Sequence, residues 1–455
     1  MEDPSFLVFV SIIVAISVFV VTLLNTDAAI VLLILAMLLS PEIPFGQVAD
    51  RAVVVRFDDV LLGVIFFTWL AKLAINKQLG VLRPSPLNVP LGLFVLSCLV
   101  STGLGLLNDT METPMSSLFY VLKYFEYFLL YFLVANVVRD RQQVKRFLVA
   151  MLLTAGIVGL CGYWQMAHYG LAFRVSAPFE GKPEPNTLAG YLVLTMGICA
   201  GLSIYGRWSH RILLCGLVAL LFLPFLFTYS RGGYVAFIVM YLTLCVASPK
   251  YKLFLFGLLI VAMMMTPFVM PQSVVDRIVG TVDPRGHTQV FGIHLAASPA
   301  QRVEVWQWIF EKWREHPFLG HGVSALGLVD NQYCLVIGEL GTFGVAVYIW
   351  VRWRLYVLVS SAIRQSRDPL LKGLALGFLA GFLGLVIHAF TGNVFIIVRI
   401  MEPFWLLAAM VITLFQLEHV TSPSSVPFSQ RAPHGLAHAS SRRVGGVPLI
   451  PRGSR

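Results

Sequence analysis

The chain alternates long apolar runs with short polar connections, and the runs set the architecture. A membrane-spanning helix needs about 20 consecutive apolar residues. Such runs lie near 6–24, 28–40, 59–76, 88–107, 117–136, 146–168, 187–206, 211–228, 233–248, 253–270, 333–351, 369–390 and 403–417. The run at 28–40 is short, so it is either re-entrant or fused with the first. The pattern predicts an all-α polytopic membrane protein with 12 or 13 spans. Residues 1–417 form one membrane-embedded domain. Residues 418–455, rich in Ser, Pro, Gly, His and Arg, are expected to be a disordered basic tail. The first run, from Phe6, lacks a basic leader and a small-residue cleavage site, so it reads as a span rather than a signal peptide. Neither a tandem repeat nor the inverted repeat of a transporter is visible.

The long polar interval 271–332 holds an amphipathic helix. Trp306, Ile309, Phe310 and Trp313 recur at helical spacing, with Glu304, Glu311 and Glu315 on the other side. Arg302 heads this helix. Pro317 is expected to end it near Glu315, because the residue before a proline avoids the α region. Gly320 and Gly322 predict a loop, and Asp330 and Asn331 fall where the chain re-enters an apolar helix. A tryptophan-bearing helix of this kind suits a membrane surface.

Composition agrees with the runs. The chain is 58% hydrophobic and 12% charged, against roughly a quarter charged in a soluble domain. The net charge of +10 therefore reads as membrane topology rather than nucleic-acid binding. Basic residues gather in alternate connections, among them Lys72–Arg83, Arg139–Arg146, Lys250–Lys252 and Arg352–Arg367. The positive-inside rule makes that side cytoplasmic, together with the tail. The segments 108–114, 170–186 and 271–332 are then external, or periplasmic if the membrane is the inner membrane of a Gram-negative cell. The six cysteines show no CxxC spacing. The sequence also lacks a Walker loop, an HExxH motif and a dense external carboxylate cluster. Chemistry without a metal or other cofactor is the expectation.

Three arginines break the charge rule on the external side: Arg174, Arg231 in TYSRGGY, and Arg302. A guanidinium offers a planar fork of donors matched to phosphate oxygens, so the three point to a lipid diphosphate. The alternative is snorkelling to headgroups or pairing with local carboxylates. Ser230, Gly232 and Gly233 surround Arg231 with small groups that leave backbone donors accessible. Asn186 opens the next span, as an N-cap or a substrate contact. Glu180, Lys182 and Glu184 read as solvated charges. Asp330 either takes the proton of an attacking hydroxyl or caps the following helix. Glu339, inside that helix, is a functional candidate or a packing lock between Gly338 and Gly341. Lys123 and Glu126 read as an intramembrane ion pair. His287, His294, His321 and His388 are alternative external bases with no partner at a telling spacing.

Four pieces occur in order: PEPNTLAGYL from Pro183, TYSRGGYVAF from Thr228, QRVEVWQWIFEKWREHPFLGHG from Gln301, and DNQYCLVIGELGTFG from Asp330. The set resembles the bacterial O-antigen ligase and O-antigen polymerase superfamily. That resemblance implies a C-type glycosyltransferase fold, a donor glycan on undecaprenyl diphosphate, a glycan acceptor and membrane lipids as partners. It implies that Arg231 and Arg302 hold the diphosphate, with Arg174, Asn186 and Ser230 on the donor side and Asn331, Tyr333 and Glu339 as further substrate contacts. Ligases of this family begin the last piece with His-Asn, whereas here it begins Asp330-Asn331. The Asp-Asn-x-Tyr start is more similar to the polymerase and exopolysaccharide branch. The rivals are ligation to lipid A–core and transport of the lipid-linked glycan without chemistry.

Overall fold

The computed structural model describes residues 16–48, 51–75, 83–108, 114–248, 251–269, 271–280, 289–290, 293–294, 297–327 and 329–421. Its elements are a helical stretch α1 (16–24), α2 (Thr26–Leu39), β1 (Glu42–Val48), β2 (Arg51–Arg56), α3 (Phe57–Ile75), α4 (Asn88–Leu107), α5 (Pro114–Val137), α6 (Arg141–Tyr169), α7 (Pro185–Tyr205), α8 (Trp208–Leu226), α9 (Arg231–Ala247), α10 (Lys252–Val269), α11 (Gln272–Val279), α12 (Ala297–Glu315), α13 (Gln332–Gln365), α14 (Pro369–His388) and α15 (Val398–Thr421). The extended pairs are minor: β1 runs antiparallel to β2 with Glu42 opposite Arg56, and Gln289–Val290 pairs with Ile293–His294.

The protein is an all-α polytopic membrane protein. Each apolar run of the sequence, where described, is a helix. Among the described residues, eight helices are long and apolar enough to cross a membrane: α4, α5, α6, α7, α8, α13, α14 and α15. The difference from 12 or 13 lies in the other helices. Helices α2, α9 and α10 are apolar but shorter, α3 carries Asp58, Asp59 and Lys72, and α1 is described over residues 16–24 only. Helix α2 is separate from α1, because the Asn25 side chain caps it by accepting from Asp27 N and Ala28 N. Helix α15 runs to Thr421, and the tail beyond it, like His287, lies outside the described residues.

The centre is the antiparallel pair α7 and α14, whose backbones touch. Gly373, Gly377 and Gly381 recur every fourth residue on α14 and face Gly197 and Gly201 of α7. A methyl at Gly201 would lie 2.3 Å from Gly377 N, and one at Gly377 would lie 2.5 Å from Gly197 O. Lipid tails are as apolar as leucine, so such helices associate by close van der Waals packing, which small residues at four-residue spacing permit. Helix α9 closes on the same pair. A methyl at Gly384 would lie 2.8 Å from Ala236 O, and one at Gly233 2.8 Å from Ala189 Cβ. The N-termini of α7 and α9 and the C-terminus of α14 therefore meet at one end of the bundle.

Arg399 ties the segment before α7 to this end. It is buried at the start of α15. Its guanidinium donates to Pro178 O at 2.9 Å, Leu38 O at 3.2 Å and Glu42 Oε1 at 3.2 Å. Glu180, expected to be solvated, lies 4.0 Å from Arg399 with its side chain 4% exposed. Burial outweighs the arginine and pushes the Glu180 carboxyl up to about 8.

Two outcomes follow. Gly201→Ala is expected to cost about 1–3 kcal/mol by overpacking, and Gly201→Leu to abolish folded protein. Gly103→Ala, where a methyl meets nothing within 4 Å, leaves melting in detergent unchanged or raised. A carboxyl whose folded pKa is raised holds its proton more tightly when folded, so stability is lost as pH rises from the ordinary 4.5 to about 8. Melting across that window should fall more steeply in the wild type than in Glu180→Gln.

Candidate functional site

The site is built on a break in α13. Gly341 has φ 63° and ψ −168°, a conformation only glycine adopts readily. There α13 folds back on itself. The Tyr333 and Tyr348 rings, fifteen positions apart, have centroids 6.2 Å apart, where a straight helix would separate those residues by about 22 Å. The broken ends would leave backbone groups unpaired at membrane depth, which costs several kcal/mol each. The loop after α12 pairs them. Thr342 N and Phe343 N donate to Pro317 O and Phe318 O, and His321 N and Gly322 N donate to Gly338 O and Glu339 O. Gly320, with φ 70°, lies so close that a methyl there would be 2.3 Å from Glu339 O.

The short arm 332–340 starts at the residues of interest. Asn331 is its N-cap, buried, with its side chain accepting from Tyr333 N at 2.9 Å and Cys334 N at 3.2 Å. The capping alternative for Asp330 therefore fails. Its carboxylate is 60% exposed and lies 3.4 Å from Arg302 Nη2. Ile309, Val329, Cys334 and Leu335 form a small apolar cluster that pins α12 onto the arm. Helix α12 ends at Glu315 as expected but begins at Ala297, so Arg302 lies inside it rather than at its head. Phe310 is 47% exposed, so it does not share the buried face of Ile309. Tyr333 points elsewhere, with its hydroxyl donating to Val386 O at 2.6 Å and its ring 4.5 Å from Phe390. Glu339 is buried and accepts from Ser324 N at 2.6 Å.

Arginines converge beside Asp330. Arg174 donates to Thr228 O at 3.2 Å. Burial and the charges of Arg277 and Arg302 hold its guanidinium below the usual arginine range. Arg231 is repelled by the same groups, Arg277 most, then Arg302 and Arg174. Four like charges in mutual range raise the local potential and favour an anionic ligand.

The turn that presents Arg231 is held from below. Ser230 is buried and caps α9, accepting from Gly233 N at 3.1 Å and donating to Asn186 Oδ1 at 2.7 Å. Asn186 sits in the first turn of α7, whose cap position is Glu184, so Asn186 is not a cap. Gly232 and Gly233 serve close packing rather than open donors. A methyl at Gly232 would lie 1.8 Å from Thr391 Oγ1 and 3.0 Å from His388 Cδ2. Arg174, Asn186, Asp330 and Glu339 share the wall of one cavity of about 490 Å³.

Residues 216–349 match the family model described as O-antigen ligase. Over that stretch the chain is similar to the O-antigen ligase and polymerase superfamily. No curated protein matches the chain. The family match supports a membrane glycosyltransferase activity of the ligase or polymerase type. The matched stretch holds Arg231, Arg277, Arg302, Asp330 and Glu339.

One residue of the site, Arg277, is absent from the sequence candidates, and a second, His388, stands there only as an alternative base. Arg277 sits on the eight-residue amphipathic helix α11. Its signal in the sequence is an arginine in the interval 271–332, which it shares with Arg285, Arg302 and Arg314. His388 has no partner at a telling spacing in the sequence. It is buried against Gly190 and Gly232 at the end of α14, a position only the glycine seam reveals.

A group of carboxylates, Asp58, Asp59 and Glu402, has oxygens within 4.8 Å of one another. The Arg56 guanidinium already stands among them, 2.5 Å from Asp58 and 3.6 Å from Glu402. Lys123 joins the same network, 2.9 Å from Glu126 and in contact with Asp59. The cations of this cluster are side chains.

Asn331→Ala is expected to cost about 1 kcal/mol of stability through the lost cap, and Asp330→Ala to leave melting unchanged. Equal losses in a detergent melt would return the cap to Asp330. Gly341→Ala should destabilise by about 1–3 kcal/mol, the cost of a strained backbone.

Proposed function

We propose that the protein polymerises undecaprenyl-diphosphate-linked oligosaccharide repeats, of an O-antigen or an exopolysaccharide, on the external face of the bacterial inner membrane. The observation that carries this reading is the exposed Asp330 carboxylate 3.4 Å from Arg302, beside the mutually repelling Arg174, Arg231 and Arg277. The external placement rests on the basic connections at the opposite ends of the helices. Residues 1–417 are the catalytic domain in this reading.

An acceptor hydroxyl oxygen attacks the anomeric carbon of the donor sugar and forms the new glycosidic C–O bond. The bond from that carbon to the diphosphate oxygen breaks, and its electron pair leaves with the undecaprenyl diphosphate. Arg231, Arg277 and Arg302 stabilise the charge that grows on that oxygen. The hydroxyl proton passes to the Asp330 carboxylate, which is open to water for its onward release. Arg174 and Asn186, at the two ends of the 174–186 segment, line the cavity beside Asp330 and stand where donor and acceptor meet. Ser230 acts through Asn186, and Asn331 and Tyr333 hold the arm that carries Asp330.

Ligation is the second reading, favoured by the printed description of the matched family. The Asp330-Asn331 start of the arm, in place of His-Asn, favours polymerisation.

Deleting the gene in its host distinguishes these. Core bearing a single repeat, or loss of secreted polymer, is the expected result. Bare core with long glycan retained on undecaprenyl diphosphate would make the protein a ligase. Lipid-linked repeats held on the cytoplasmic side would make it a transporter. In complementation, Asp330→Ala and Asp330→Asn are both expected to be folded and inactive, and an active asparagine variant would remove the proton-accepting role. Arg231→Lys keeps the charge but loses the fork, and should lower activity about a hundredfold.

A further inference from the structure

The cavity of about 490 Å³ beside Asp330 differs in chemistry from the arginine cluster. Of the four arginines only Arg174 reaches its wall, and three carboxylates do: Glu184, Asp330 and Glu339. A diphosphate is repelled by that wall. Sugar hydroxyls, which donate and accept, find partners on it. Phe119 and Tyr120 of α5 also line the cavity, aromatic residues that suit the C–H face of a sugar ring. An apolar surface with a few placed polar groups is the usual build of a small-ligand pocket, and the volume lies in that range.

Asn393, in the connection between α14 and α15, completes the wall. Its side-chain oxygen is shut off from solvent and has no hydrogen-bond partner among the described residues. Such a group is costly unless a ligand or water pairs with it. A half-turn of the amide presents either its acceptor or its donors, so it suits a hydroxyl group in both directions. Lys123 also faces the cavity, but Asp59 and Glu126 already balance its charge. Arg174 is the remaining cation of the wall, and Glu184, Asp330 and Glu339 outnumber it, so the wall as a whole does not favour an acidic sugar.

We propose that this cavity is the acceptor subsite, that it takes an uncharged sugar residue, and that Asn393 selects it by hydrogen bonding. The proposal rests on the glycosyltransferase reading above. Asp330 belongs to both halves, 3.4 Å from Arg302 and in the cavity wall. An acceptor hydroxyl entering from the cavity meets the anomeric carbon at the boundary with the arginines. Donor and acceptor thus occupy sites of opposite charge preference, joined at one carboxylate.

The test is binding to the purified full-length protein in detergent, with two probes. One is undecaprenyl diphosphate. The other is the repeat oligosaccharide released by mild acid from lipid extracts of the deletion strain. Asn393→Ala is expected to weaken oligosaccharide binding about tenfold, as a lost hydrogen bond of about 1.4 kcal/mol would, and to leave undecaprenyl diphosphate binding within about twofold. Arg277→Gln should do the reverse. Asn393→Gln, which keeps the amide, guards against misfolding and should retain part of the oligosaccharide affinity. If Asn393→Ala weakens both probes equally, or neither, the subsite is wrong while the enzymatic reading stands. If the wild type binds neither probe, the enzymatic reading fails and takes the subsite with it.

Discussion

At Gly201 and Gly377 the backbones of α7 and α14 are in direct contact, and the geometry of the site descends from that contact. Two helices that close cannot be held apart by side chains, so their ends are fixed relative to one another. Helix α9 then packs against the same pair through Gly233 and Gly384. The result sets Asn186, the Ser230–Gly233 turn and His388 side by side. The Ser230–Asn186 hydrogen bond at 2.7 Å is the local expression of that packing, and it fixes the turn from which Arg231 projects.

The second constraint is the need to pair backbone groups where water is scarce. A helix broken at Gly341 is tolerable only because the 317–322 segment supplies matching donors and acceptors. That pairing binds the end of α12 to the arm, and so binds Arg302 to Asp330. The two halves of the site thus come from different physics. The arginine turn is placed by van der Waals contact between glycines, and the carboxylate by hydrogen bonding across a break. Arg302, held 3.4 Å from Asp330, lies within charge range of Arg231 on the turn and so joins the two.

Much of this was legible in the chain. The apolar runs named the helices, because burial in lipid demands length and composition together. The amphipathic α12 ended where Pro317 required. Arginines on the side opposite the basic connections stood out, because position in the membrane gives charge a cost. What the runs could not show was depth. A window of hydropathy treats 333–351 as one span, and the folding back at Gly341 is set by a single backbone angle. Glycines at 197, 201, 373, 377 and 381 are uninformative one by one and meaningful only as facing pairs. Glu180 departs from its expectation for a related reason. A short polar segment looks solvated, yet this one is drawn inward by Arg399 and its carbonyl partners.

The central claim is that the converged arginines and Asp330 transfer a glycan from a lipid diphosphate. Reconstitution tests it most directly: the purified protein in liposomes, supplied only with lipid-linked repeats from the deletion strain and followed by mass spectrometry. The account predicts lipid-linked products that grow by whole repeats, with one undecaprenyl diphosphate released per bond formed. Repeats that stay at unit length with no diphosphate released, in liposomes holding folded protein, would contradict it.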